Sequence, residues 1–395
     1  MDIVEVRKKT GRKINQLRRM VWNRLYRTWH LLPVLTYGRS GGDEETVFIM
    51  IYSMYGGGAE RVASILANGL SEKYRVVTIC HEKKDPEYYL NEQIERVYTP
   101  VHFRGPIAEQ KRQREYFVRT YKRIRKPVAS ISFMYAMNDL NVHTKCGDAV
   151  ICSERNNPAM REPEHMKDIT SFYREADHVV FQSSSVRDLF DSRIAAHSSI
   201  IMNPVNVSCC RNGHAAHRIV NVGRLHPQKN QALLIRAFAD FQETHPEYTL
   251  ELYGEGEMLD ELMQLAESLG LAGRVIFHGN VENVHGEIAD AMMFVLSSDF
   301  EGLSNALLEC MMMGMPCIST DCTGSVDVIR TGENGILVER GNKDQLADAM
   351  TLLAEDDELR EKLGRNAGIT AEEFKPEKIL AQWMKLIDSL KKERN

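Results

Sequence analysis

Twice along this chain, short apolar runs alternate with helices across glycine-bearing loops, and that repeated unit restricts the fold more than any other feature. TVFIMIY (46–52) reads as a buried strand, and YGGGAERVASILANGL (55–70) as a glycine loop opening into a helix. RVVTIC (75–80), ASISFM (129–134), AVIC (149–152) and HVVFQS (178–183) continue as strands, and VRDLF (186–190) starts another helix. The pattern begins again at RIVNVG (218–223). Helices at 231–241 and 258–271 follow, with strands at 249–254, 274–279, 292–298, 316–320 and 335–338, and helices at 304–313 and 376–392. Strands alternating with helices predict parallel sheets. A length of 395 residues predicts two domains.

The expected organisation is a basic helix over 1–42, a first α/β domain over 43–205, a polar linker over 206–217, a second α/β domain over 218–375, and a last helix over 376–395. No stretch approaches the ~18 apolar residues of a membrane-spanning helix. The eight cysteines lack paired spacing and fall mostly in apolar runs, so reduced thiols and a cytoplasmic location are expected. The first thirty residues do not read as a signal peptide, because positive charge recurs throughout.

The net charge of -5 hides an asymmetry. Ten Lys/Arg stand against Asp2 and Glu5 in residues 1–39, and nine against Glu109 and Glu115 in 104–126. Two basic segments on an acidic body suggest a local anionic partner rather than nucleic acid. Ile14, Leu17, Val21, Leu25, Trp29 and Leu32 recur at helical spacing with arginines between them, which predicts an amphipathic basic helix. Residues 7–32 suit an anionic membrane surface; docking on the protein's own surface is the alternative.

The stretch SSDFEGLSNALLECMMMGMPCIST (297–320) carries the most chemistry. A helix beginning near Leu303 would present backbone N–H groups at Gly302, Leu303 and Ser304, a site for a diphosphate. Glu309 would sit roughly 9 Å further along, where it could accept hydrogen bonds from ribose hydroxyls while Glu301 holds the transferred sugar. In VGRLHPQKN (222–230), Gly223, Arg224 and Lys229 lie in a strand-to-helix loop. Fixed cations there would stabilise the charge that a leaving diphosphate gains, and a solvated loop is the bland alternative. Gly254 and Gly279 each end a strand where backbone must turn sharply or approach a ligand.

These segments, in this order, resemble the retaining glycosyltransferases of family 4, from about residue 46 onward. The resemblance implies a GT-B fold: two facing Rossmann-like domains with parallel sheets, the last helix crossing back to the first. It implies that Gly57 and Gly58 face the donor phosphates, that Arg224 and Lys229 bind the diphosphate, and that Glu301 and Glu309 hold the sugar and the ribose. It also implies transfer from a nucleotide-sugar with no metal and no further cofactor, by front-face attack. SERNNP (153–158) lies where that family places acceptor-side residues, which makes Glu154 and Arg155 acceptor candidates, with a structural ion pair as the alternative. Asn138 is a further acceptor candidate. Some relatives carry a histidine pair there and this sequence does not, which leaves any assisting base open.

The resulting expectation is a transferase that extends a surface glycan, using a UDP-sugar and a lipid-linked acceptor, bound to the inner face of the cell membrane. The alternatives are a transferase making a small soluble glycoside and a non-catalytic sugar-nucleotide-binding subunit of a membrane assembly. A dehydrogenase is disfavoured, because no GxGxxG follows a first strand.

Overall fold

The computed structural model describes residues 3–36, 44–156, 162–211 and 216–394, with side chains for 13–32 in the first of these segments. Asn157 and Pro158 of the expected acceptor segment, and positions 212–215 of the expected linker, lie outside the described residues.

Two parallel sheets form. The first holds seven strands: β1 (Thr46–Ile51), β2 (Arg75–Cys80), β3 (Glu95–Tyr98), β4 (Ala129–Phe133), β5 (Ala149–Ser153), β6 (His178–Phe181) and β7 (Ser198–Ile200), in the order β3-β2-β1-β4-β5-β6-β7. The second holds six: β8 (Ala216–Val222), β9 (Thr249–Tyr253), β10 (Val275–Gly279), β11 (Ala291–Leu296), β12 (Cys317–Thr320) and β13 (Ile336–Val338), in the order β10-β9-β8-β11-β12-β13. Strands β1 and β11 are largely apolar because helices cover both faces. All six residues of β1 and all six of β11 are buried.

In each sheet the order reverses beside its first strand, between β1 and β4 and between β8 and β11. Open sheets of this kind leave a crevice beyond the strand ends at such points. The loops leaving β1, β8 and β11 carry Gly57 and Gly58, Arg224 and Lys229, and Glu301 respectively. The topology therefore places the expected donor residues at the strand ends of both sheets, beside these crevices.

The α/β pair of Rossmann-like domains agrees with the sequence reading. The edge strands β3 and β7, and helices Ile107–Arg125, Tyr135–His143 and Pro163–Tyr173, were not legible in it. ERVY and SSI are short, and none of their residues is fully buried, so the apolar signature of the inner strands is missing.

The last helix, Pro376–Lys392, lies against the first sheet. Its Ile379, Trp383, Ile387 and Leu390 recur at spacings of four, four and three and share one core with Val47, Ile49 and Ile131. Ion pairs fix its rim, with Asp388 on Lys73 at 3.0 Å and Arg394, just beyond it, on Asp177 at 3.2 Å.

The N-terminal helix, Ile3–Thr36, is docked on the body of the protein. One face docks on helix Ile107–Arg125: Leu31 joins the core of Phe48, Val77 and Tyr121, and Arg27 lies 3.7 Å from the Tyr116 ring centroid. The opposite face leaves Leu17, Val21, Leu25 and Trp29 exposed. Among the described residues no helix is long and apolar enough to cross a membrane.

Candidate active site at the interdomain cleft

Strand β11 ends in SSDFEG, and the loop is tied down by its own side chains. Glu301 is buried, and its Oε1 accepts from Lys229 Nζ at 2.5 Å and from Ser298 Oγ at 2.7 Å. The carboxylate expected on the sugar and the cation expected on the diphosphate therefore form one ion pair. Helix Asn305–Met312 begins two residues later than the sequence suggested. Ser304 caps it, accepting from the Leu307 N–H. Gly302 and Leu303 thus belong to the approach, and Asn305 is the first helical residue at the cleft.

Glu309 is buried one helical turn further in. Its Oε1 accepts from Arg61 of the glycine-loop helix at 2.5 Å, and its Oε2 from His285 Nε2 at 3.0 Å. The Ser208 N–H donates to His285 Nδ1 at 3.3 Å, which fixes the tautomer with its proton on Nε2, toward Glu309. Neither partner was foreseen. Arg61 directly follows Glu60 in GGGAER, so the motif pointed at it; nothing in the sequence marked His285.

Gly57 caps helix Gly58–Leu70, and a Cβ on Gly58 would come within 3.1 Å of Asn305 Nδ2. The glycine loop thus faces the start of helix Asn305–Met312 across the cleft. Burial raises the Glu60 carboxyl above its ordinary value, against the pull of its own backbone N–H and of Arg224. Arg224 is exposed, and among the described residues its guanidinium makes no ion pair. It borders a cavity of about 210 Å³ together with Gly223, Gly254, Gly279 and Val281. Gly254 adopts φ +133°, and a Cβ there would meet the Gly223 carbonyl oxygen at 2.2 Å, so side chains are excluded where the two loops cross.

The domains touch at several further points. Asn203 Nδ2 donates to Asn305 Oδ1 at 2.5 Å, and Ser185 donates to Asp327 at 2.7 Å. A Cβ on Gly302 would meet the Arg155 carbonyl oxygen at 2.6 Å.

Residues 214–369, which include Arg224, Lys229, Glu301 and Glu309, match the family model described as Glycosyl transferases group 1. A Campylobacter jejuni protein named GalNAc-alpha-(1->4)-GalNAc-alpha-(1->3)-diNAcBac-PP-undecaprenol alpha-1,4-N-acetyl-D-galactosaminyltransferase is 27% identical over 361 residues, 87% of this chain and 99% of that protein. The chain is a glycosyltransferase. A second Campylobacter jejuni protein, an N-acetylgalactosamine-N,N'-diacetylbacillosaminyl-diphospho-undecaprenol 4-alpha-N-acetylgalactosaminyltransferase, is 34% identical over 170 residues, which is 43% of this chain and 46% of that one. Among solved structures, Anabaena HepE in complex with UDP-glucose superposes with a TM-score of 0.76 at 18% identity, over 87% of this chain and 99% of that one; at that identity the likeness concerns the fold.

The acceptor side of the transferase differs from the sequence reading in detail. Asn138 is fully buried, and its Nδ2 donates to the Ser153 carbonyl at 3.1 Å and to Tyr173 Oη at 3.0 Å. Glu154 is buried as well. Its Oε1 accepts the backbone N–H groups of Arg155 and Asn156, both at 3.0 Å, and its Oε2 accepts from Tyr173 at 2.8 Å. Glu154 thus shapes the turn after β5, and Asn138 ties β5 to Tyr173 while its buried Oδ1 has no hydrogen-bond partner among the described residues. Arg155 is likewise buried: its Nη1 donates to Asn203 at 2.6 Å, its guanidinium lies 5.1 Å from the Phe133 ring, and burial lowers its pKa to about 9. At the ends of β1 and β2, Tyr52 and His81 stand with rings 4.9 Å apart.

The basic run 104–126 is less available than its count suggested. Lys122 is fully buried and pairs with Asp148 at 2.7 Å, Arg125 pairs with Glu95 at 2.8 Å, and Lys111 with Asp139 at 2.7 Å. Helical periodicity puts part of any such run inward: Lys122 and Arg125 are internal struts, while Lys111 pairs at the surface.

Proposed function

We propose that this transferase takes a UDP-sugar, retains its anomeric configuration without a metal, and extends a lipid-linked glycan at the inner face of the membrane. The observation that carries the donor half is the placement of two buried carboxylates, Glu301 and Glu309, at either end of one helix start, opposite the Gly57 and Gly58 loop. A diphosphate over the first turn of helix Asn305–Met312 would meet unpaired backbone N–H groups. Arg224 would close on it from one side and Lys229 from the other. The ribose hydroxyls would then reach Glu309, taking the place Arg61 holds, and the sugar would reach Glu301. The cavity beside Gly254 and Gly279 would hold the base.

As the bond from the anomeric carbon to phosphate oxygen breaks, negative charge grows on the diphosphate, and Arg224 and Lys229 favour that state over the ground state. The acceptor hydroxyl attacks from the same face, its oxygen bonds to the anomeric carbon, and its proton passes to the departing phosphate oxygen. Configuration is retained and every charge is accounted for. The lipid-linked acceptor is supported by the two undecaprenol-named relatives, and the membrane surface by the exposed apolar face of the N-terminal helix.

The test is thermal stabilisation by a panel of nucleotide-sugars in EDTA, on the wild type and on Glu309→Ala, with donor turnover measured for Glu301→Ala. A UDP-sugar that stabilises the wild type and not Glu309→Ala, with turnover lost in Glu301→Ala, supports the reading. No response to any nucleotide-sugar, or turnover that appears only with added metal, overturns it.

A further inference from the structure

Beside the exposed stripe of the N-terminal helix lies a charged feature that the transfer reaction does not use. Between that helix and the turn before helix Ile107–Arg125 runs a groove of about 700 Å³, lined by Asn15, Gln16, Arg18, Arg19, Arg104 and Gly105. Its two walls are locked together. Asn23 is fully buried, its Nδ2 donates to the Arg104 carbonyl at 2.9 Å, and its Oδ1 accepts the Arg104 N–H at 2.9 Å. Gly105 adopts φ +118°, and a Cβ there would fall 2.8 Å from the Arg19 side chain, so a glycine is what lets Arg19 lie along the groove.

Three guanidinium groups share this space, with one carboxylate among the groove's described contacts. Arg19 Nη2 pairs with Glu109 at 2.9 Å, while its Nε is buried with no hydrogen-bond partner. Arg104 stacks on Trp22, 4.1 Å from the ring centroid, which fixes its plane and leaves its N–H edge unpaired among the described residues. Arg18 is exposed and likewise without an ion pair among them. An anion seated in the groove could accept charge-assisted hydrogen bonds from more than one of these guanidinium groups. Arg18 of the groove directly follows Leu17 of the stripe, in which Leu17, Val21, Leu25 and Trp29 are 50–72% exposed. An anion seated there would stand at headgroup height when the stripe enters the acyl boundary.

We propose that this groove seats the phosphate of an anionic phospholipid headgroup, gripped by Arg18, Arg19 and Arg104. This rests on the membrane reading above and adds a specific site to it: the stripe supplies apolar area, and the groove selects what lies beside it. Because Asn23 and Arg104 join the helix rigidly to the body, the bound headgroup would also fix the direction in which the cleft faces the membrane.

The experiment is co-sedimentation of the full chain with phosphatidylcholine vesicles, with and without phosphatidylglycerol, at low salt. The variants are Arg104→Gln, Arg18→Gln, Arg24→Gln as a charge-matched control outside the groove, and Leu25→Ser in the stripe. The groove variants should weaken partitioning onto the mixed vesicles by about tenfold or more, and Arg24→Gln by roughly fivefold or less, the share of one arginine near an anionic surface. Arg18 and Arg104 are exposed, so neither variant threatens the fold. Equal losses for groove and control would reduce the groove to general charge and overturn the proposal alone. A wild type that ignores the mixed vesicles, or a Leu25→Ser that binds them fully, would remove the membrane reading itself. If inorganic phosphate stabilises the protein without vesicles, at matched ionic strength and through Arg104, the site is for soluble phosphate and the lipid assignment falls.

Discussion

Gly302→Ala would test whether the closed cleft seen here is the reacting arrangement. The new Cβ would stand 2.6 Å from the Arg155 carbonyl oxygen and 2.8 Å from Gln182 Oε1. Ordinary carbon–oxygen contact is about 3.3 Å, so something must yield by roughly 0.7 Å. The Gln182 amide, bonded to Asn203 through its Nε2, can turn aside only by breaking that bond. The Arg155 carbonyl cannot, because Glu154 holds that turn through two backbone N–H groups and the Arg155 side chain is buried. The displacement therefore falls on the loop that carries Glu301, or on the closure of the two domains. A misplacement approaching 1 Å at a reacting centre costs about a hundredfold in rate, and we expect that loss in kcat/KM. UDP should bind within about threefold of wild type, because the cavity at Gly254 and Gly279 is untouched, and each domain keeps its own core. Donor hydrolysis provides a rate without an acceptor, and calorimetry with UDP provides the affinity. Full activity would refute the argument, and so would a loss of UDP binding as large as the loss of rate.

His285→Ala should raise the donor Kd by about tenfold, through loss of a hydrogen bond to an ionised group, and leave kcat close to wild type; titration calorimetry together with the KM-against-kcat split checks it. Trp383→Ala should cost about 3–5 kcal/mol, because the indole is fully buried between the last helix and the first sheet, and denaturant unfolding reads it. The third outcome concerns acid. Burial works to raise the Glu251 carboxyl, but the paired bonds from Arg218, with Tyr253 and His278, outweigh it and hold the group at about 2. A depressed carboxylate stabilises the fold above its unfolded pKa and loses that contribution as pH falls through the folded one. Roughly 2 kcal/mol, reduced from the full shift for solvent screening, should thus disappear between about pH 5 and 2. Arg218→Met should flatten that part of the pH–stability curve, and an unchanged curve would count against the pairing.

The parts of this molecule legible in its sequence are those governed by neighbours along the chain. The apolar runs at 46–52 and 292–298 announce inner strands, and the spacing of Glu301 to Glu309 announces a helix start with a carboxylate at each end. What stayed hidden depends on pairings between distant segments. Arg61 meets Glu309 across 248 positions, and Asn203 meets Asn305 across 102. One chain carries no trace of such register. Burial inverts other expectations: Lys122, part of the basic run, is held inside by Asp148, and Asn138 and Glu154 are buried with bonds to Tyr173. The docking alternative for the N-terminal helix holds for one face, through Leu31 and Arg27, while Leu17, Val21, Leu25 and Trp29 on the other face are exposed.

The packing of helix Pro376–Lys392 on the first sheet has a consequence for biosynthesis. The core around β1 lacks one wall until Trp383 and Ile387 arrive, and those residues are made after the whole of the second domain. On the ribosome the second domain can close first, while the first waits with an open apolar face for a chaperone to shield. Shortening the chain by this one helix would then damage the domain farthest from it in sequence, and nascent-chain proteolysis would show the early-synthesised half maturing last.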